Sequence, residues 1–185
     1  MSGPGGLVCL LCALAVAAQV PPGLDPASPA GKEFNRRIGE YLKIHKTARS
    51  EVHRLKPTAS AEAIEHYEHR LAHRIREERK DAVQGNIFTP EITSEFRKLI
   101  DGAMQGSNAA TIRQSLRSST PVEIRGLRVD HGYPDGSPLQ TTPPSLLMKL
   151  PTLPPELEYR VVGHDLVLRD VEANLVVDYI PHAIS

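Results

Sequence analysis

The chain has 185 residues, with 22 Lys+Arg against 22 Asp+Glu, 8 His, 16 Pro, 2 Cys and no Trp. That length holds one domain, or one with an appendage, and balanced charge lacks the basic surplus that neutralising phosphates requires, which argues against a nucleic-acid binder. Apolar residues make up 40%, enough for a core, while 4% aromatics leave few rings for stacking bases or caging cations.

Leu7 to Ala18 (LVCLLCALAVAA) is an uncharged apolar run followed by Gln19 and prolines, the pattern of a secretory signal, with cleavage expected after Ala17 or Ala18. Residues 1–18 read as a signal peptide and the protein as exported, periplasmic or secreted. The run is about a dozen residues where a membrane span needs ~20, so no stable span is expected after cleavage. Met1 to Gly6 carries no Lys or Arg, which leaves open an uncleaved anchor. Both cysteines, Cys9 and Cys12, fall inside this segment. The mature chain is then cysteine-free, which removes disulfides, thiolate zinc sites and cysteine nucleophiles together.

Residues 19–31, with Pro21, Pro22, Pro26 and Pro29, read as a proline-rich tether. From Lys32 to Lys56, Phe34, Ile38, Tyr41, Leu42, Ala48, Val52 and Leu55 recur at helical spacing, and Pro57 is the expected stop. A second helix is expected from Ser60 to about Gln84, with Ile64, Tyr67, Leu71, Ile75 and Ala82 on its buried side and Gly85 ending it. A link of about three residues makes the pair an antiparallel hairpin. In Gln84 to Pro90, Ile87 and Phe88 are expected to pack the entry of a third helix as a hydrophobic staple. Thr89, Pro90 and Glu91 announce that helix, running to about Met104, and a shorter one follows from about Asn108 to Arg117.

After Thr120 the period changes to 2 over Val122, Ile124, Leu127 and Val129, the pattern of a strand with a bulge at Gly126. Between Pro134 and Pro155 lie 7 of the 16 prolines, a connector in which Pro144 to Leu150 makes at most one or two helical turns. Leu157 to Val162, Leu166 to Arg169 and Leu175 to Ile180 are three short β runs separated by turn-rich sets. The expected architecture is α+β: residues 32–118 form a helical hairpin plus two shorter helices, and 119–185 a proline-rich connector and a small antiparallel β meander.

Lys32 to Gly85 has 13 basic and 9 acidic residues, net +4; residues 86–185 have 9 basic and 12 acidic, net −3, and Asp25 closes the sum. The split is either ordinary surface variation or a sign that the basic hairpin meets an acidic partner. Acidification would add further positive charge to the hairpin through His45, His53, His66, His69 and His73.

Glu62, His66, His69, His73 and Glu77 fall within a sector of about 80° on the second helix, opposite its apolar side. His69 and His73, at i and i+4, have the spacing to grip one ion of zinc, nickel or copper, with Glu65 or His66 assisting. A solvated face laced with Glu-His pairs accounts for the same pattern. His45 shares the side of Ile38, Tyr41 and Val52 and reads as a core-edge histidine satisfied by a carboxylate or carbonyl. His131 and His164 sit beside Asp130 and Asp165, a weak hint of a dispersed general base. The chain has no Gly-x-Ser-x-Gly elbow, Walker loop, His-Glu-x-x-His or EF-hand sequence.

The Gly85–Glu91 stretch (GNIFTPE), residues 141–150 (TTPPSLLMKL) and the tail Leu157 to Ile184 resemble a group of uncharacterised exported bacterial proteins. These share a signal peptide, helices, a GxIFTPE-like corner and a C-terminal run close to LEYRxVGxxLxLxDxxANLVVDxIPxAI. The resemblance covers most of the mature chain and implies export, with no activity or functional residue attached. The tail is also similar to the β module ending some small periplasmic proteins linked to nickel and cobalt homeostasis, which lends the metal reading slight support. The leading expectation is a non-enzymatic binding protein of the cell envelope, engaging another protein or its own kind, with no resident cofactor. The alternatives are a periplasmic metal binder using the histidine stripe, and a hydrolase with dispersed residues near His131 or His164.

Overall fold

The computed structural model describes residues 23–118, 126–133 and 142–184. The first helix, α1 (Pro29–Glu51), begins inside the stretch expected to be tether. Asp25 Oδ1 accepts the Ala27 N–H and the Ser28 hydroxyl accepts the Gly31 N–H, which caps the helix. This turn folds so closely over α1 that a Cβ on Gly31 would stand 2.0 Å from the Asp25 carbonyl oxygen. Only glycine fits there without moving the turn.

α1 also ends earlier than Lys56. Val52 turns extended and buries its side chain, so the link to α2 (Ala61–Glu78) spans residues 52–60 and is longer than the sequence suggested. Pro57 restricts only its neighbour, whereas burial of Val52 redirects the chain before it. The helices do form a hairpin: Arg49 lies beside Tyr67, and earlier on α1 Tyr41 lies beneath Arg79, just past the end of α2.

α2 stops at Glu78 instead of Gln84. The chain then makes a corner whose Gly85, Ile87 and Phe88 N–H groups are all captured by the buried Asp178 carboxylate. Gly85 at φ +93 serves that corner and not a helix end. Thr89 caps α3 (Pro90–Gln105), and α4 (Ala109–Ser118) follows. Phe88 stacks on Phe34 of α1 and meets Phe96 of α3 edge-on, with ring centroids 6.2 and 5.1 Å away, so the expected staple is a core plug contributed by the corner.

Val122 and Ile124 of the bulged strand expected after Thr120 lie outside the described residues. Its Leu127 and Val129 are not in a strand: Asp130 takes φ +60 and Gly132 makes a single bridge to Leu175. After the one-turn α5 (Pro144–Leu147) come β1 (Leu157–Val162), β2 (Asp165–Asp170) and β3 (Leu175–Ile180), an antiparallel sheet in the order β1-β2-β3. Its turns use Gly163 and Asn174 at positive φ, where glycine and asparagine are favoured.

The fold is therefore α+β. Tyr159, Val161, Leu166, Leu168, Leu175 and Val177 of the sheet join the helices in one core, and Phe96 meets Tyr159 at 6.0 Å. The other face, Val162, Val167 and Val176, is covered by Tyr133 and Leu127. A three-stranded meander is marginal alone, so burial on both faces is what holds it. Among the described residues, no helix is long and apolar enough to cross a membrane.

Candidate functional site

Two polar constellations lie between helices and sheet. The first begins at Asp170, fully buried where β2 ends. Its Oδ1 accepts the N–H groups of Glu172 (3.0 Å) and Ala173 (2.8 Å), shaping the β2–β3 turn. Its Oδ2 accepts the Tyr41 hydroxyl (2.6 Å) and faces His45 Nδ1 (2.6 Å). His45 Nε2 in turn faces Glu172 Oε2 at 3.2 Å. Glu172 Oε1 accepts the Tyr67 hydroxyl (2.7 Å) and meets Arg49 Nε (3.0 Å). The chain of contacts runs from the core to the surface: Tyr41, Asp170, His45, Glu172, then Tyr67 and Arg49.

With a carboxylate at each ring nitrogen, His45 suits the imidazolium form, in which both nitrogens donate. Burial is the largest single influence and opposes protonation, but the hydrogen bonds and charges of Asp170 and Glu172 outweigh it and raise the His45 pKa above the ordinary value. Burial, with Asp170 adding to it, likewise pushes the Tyr41 hydroxyl well up, so it stays a donor. A histidine with both nitrogens engaged and 3% exposure is no free general base. It is a latch between α1 and the β2–β3 turn.

A raised folded-state value has a definite sign. The stabilisation is fully present below the unfolded histidine's pKa, about 6.5, and is lost as pH rises through the higher folded value. The denaturation midpoint is therefore expected to fall on raising pH from about 6 to about 9, and His45→Gln to flatten that fall. Equal slopes in the two proteins would remove His45 as the titrating group.

The second constellation is structural. Arg79 pairs with Asp130 at 2.5 Å and donates to the Val177 carbonyl, while Arg76 donates to the Asp130 carbonyl at 2.7 Å. Burial pushes Asp130 up to about 6 despite Arg79 and Arg76 beside it. Together these contacts fasten the 126–133 loop and β3 to the end of α2.

Where the first chain reaches the surface, it opens into a groove at the α1–α2 link. A cavity of about 580 Å³ is lined by Lys46, Arg49, Ser50, Val52, His53, Arg54 and Tyr67, with no carboxylate among them. Lys46, Arg49 and Ser50, at i, i+3 and i+4, share one side of the last turns of α1, and His53 joins them from the link beyond the helix end. The early turn at Val52 swings Arg54 onto the same wall. A second depression of about 570 Å³ shares Arg49, Arg54 and Tyr67 and continues over Leu55, Ile64 and Val171, with Glu68 and Glu172 also in its lining. Ile64, expected on the buried side of α2, is 38% exposed here and Val171 is 41% exposed. The groove is thus cationic and acid-free at one end, and at the other it sets aliphatic side chains beside two carboxylates.

The sequence-derived metal candidates lie elsewhere. Glu65, His66, His69 and His73 are all exposed, and His73 Nδ1 is 3.6 Å from Glu77. Among the described residues, no group of three His, Cys, Asp or Glu side chains is placed to hold a metal ion. His131 and His164 are exposed at turns, their Nδ1 atoms facing the carbonyls of Val129 and Ile184. The groove escaped sequence reasoning, although Lys46, Arg49 and His53 carried a signal: a basic stripe at a helix end.

The chain was compared with protein families, with curated proteins and with solved structures, and nothing matches it.

Proposed function

We propose that the protein is exported and works in the cell envelope by binding, not by catalysis, with the groove at the α1–α2 link as its contact face for a partner that brings negative charge. The observation carrying this reading is the concave wall of Lys46, Arg49, His53 and Arg54 beside exposed Ile64 and Val171. Cations beside exposed aliphatic side chains give long-range attraction and area to bury in one place. The uncharged apolar run Leu7 to Ala18, with its small-residue end, supports the address. The engagement of both His45 nitrogens supports binding over turnover.

The test compares material retained from the envelope fraction by the wild-type chain, by Lys46→Glu/Arg54→Glu and by Lys98→Glu, a control on α3. A species held by the wild type and the control, absent from the double variant and released by salt, is expected. Identical retention by all three would end the groove reading. Turnover of an envelope substrate that a single substitution abolishes would end the non-enzymatic one.

A further inference from the structure

We propose that the acid-free end of the groove is an oxyanion site of the phosphate class, in which Lys46, Arg49 and Arg54 hold a phosphomonoester whose organic part lies over Leu55, Ile64 and Val171. The proposal rests on the groove being the contact face and names the chemistry of its ligand.

The gathering of cations in one concave lining without a carboxylate points to it. Six arginines elsewhere are held by carboxylates: Arg36 and Arg37 share Glu33, Arg74 takes Glu77, Arg79 takes Asp130, and Arg160 and Arg169 share Glu158. In the groove, Arg49 turns its Nε to Glu172. Among the described residues, no ion pair or side-chain hydrogen bond engages Lys46, His53 or Arg54. These cations share one concave wall of about 580 Å³ without a carboxylate in its lining.

Like charges gathered in a concavity repel one another, and a bound anion relieves that repulsion. A monocarboxylate would cancel one charge, whereas a phosphomonoester carries close to two and offers three acceptor oxygens to a guanidinium fork and an ammonium. Ser50 adds no donor, because its hydroxyl is given to the Thr47 carbonyl at 2.7 Å. The Tyr67 hydroxyl is given to Glu172, so recognition falls to the cations. The cavity is roomier than a bare phosphate, and its continuation sets Leu55, Ile64 and Val171 beside Glu68 and Glu172, which places a carbon-rich substituent over the aliphatic side chains and the anionic group at the acid-free end.

The same headgroup chemistry occurs on a lipid and on a soluble phosphoester, and the test separates the two. Amide chemical shifts of the mature chain are followed against inorganic phosphate, phenyl phosphate and benzoate. Saturable shifts confined to residues 46–54 and around Tyr67 are expected, with phenyl phosphate at least about tenfold tighter than benzoate and weakened about tenfold in Arg54→Ala and in Lys46→Ala. Lys98→Ala should bind as the wild type does. Sedimentation with phosphatidylcholine vesicles doped with phosphatidic acid assigns a lipid source, and soluble binding alone a free phosphoester. No saturable shift at the groove, or benzoate equal to phenyl phosphate, overturns the proposal. If that happens while Lys46→Glu/Arg54→Glu still loses an envelope species, the oxyanion site falls and the groove as contact face stands.

Discussion

Replacing Asp170 with alanine is expected to lower the unfolding free energy by about 3–5 kcal/mol, the usual cost of removing one partner of a buried charge pair. The carboxylate is fully buried and meets four groups at once: the Glu172 and Ala173 N–H groups, the Tyr41 hydroxyl and His45. Alanine would leave the imidazolium and the phenol facing a void, and would release the turn that holds Glu172. Asp170→Asn is expected to lose less, since its oxygen can still serve the turn while its NH₂ opposes the donors on Tyr41 and His45. The readout is the denaturant midpoint at unchanged slope. A loss below about 1 kcal/mol would show that the hub contributes no more than an ordinary surface contact.

Asp178→Ala is the second large effect. Asp178 is also fully buried, and it collects the N–H groups of Gly85 (2.9 Å), Ile87 (2.7 Å), Phe88 (2.8 Å) and Tyr179 (2.8 Å). A buried donor without a partner costs about 1–3 kcal/mol, and such losses do not simply add where one carboxylate serves them all. A total of about 3–5 kcal/mol is expected. Amide exchange gives the signature: protection should fall first at residues 85–88, because Asp178 is what ties that corner to β3. Phe88 sits 1% exposed between Phe34 and Phe96, so opening the corner also loosens the aromatic core. Uniform loss of protection across the chain, with the corner no more affected than α4, would contradict this.

The strands were legible because their side chains alternate and their turns are marked by Gly163 and Asn174, local signals that need no tertiary partner. Leu157–Val162 and Leu175–Ile180 match the expected runs, and β2 is longer by one aspartate at each end. The start of α3 was equally local, because Thr89 and Pro90 act within one turn. His45 was readable as a satisfied core-edge histidine from its helical side, though not the identity of its partner 125 residues away.

The failures share a cause. Periodicity carried α2 on to Gln84, but the structure ends it at Glu78, and the chain beyond is held by distant groups: Arg79 by Asp130 and the Val177 carbonyl, and the Gly85, Ile87 and Phe88 N–H groups by a carboxylate 91 residues from Ile87. Leu127 and Val129 alternate like a strand, yet Asp130 turns left-handed where its N–H meets the Val176 carbonyl at 2.8 Å. The groove depends on Val52 leaving the helix early and on Tyr67 closing the opposite wall. Each of these is decided by a contact distant in sequence, which spacing alone does not encode.

The most direct test of the groove as a contact face places a photo-crosslinking residue at His53, on the cationic wall, and separately at Glu62, exposed on α2. Irradiated in cells that carry the protein, the His53 position is expected to yield a discrete adduct that Glu62 does not, and Lys46→Glu/Arg54→Glu in the same chain should abolish it. The same adduct from both positions, or one that survives the charge reversal, would contradict binding through this groove.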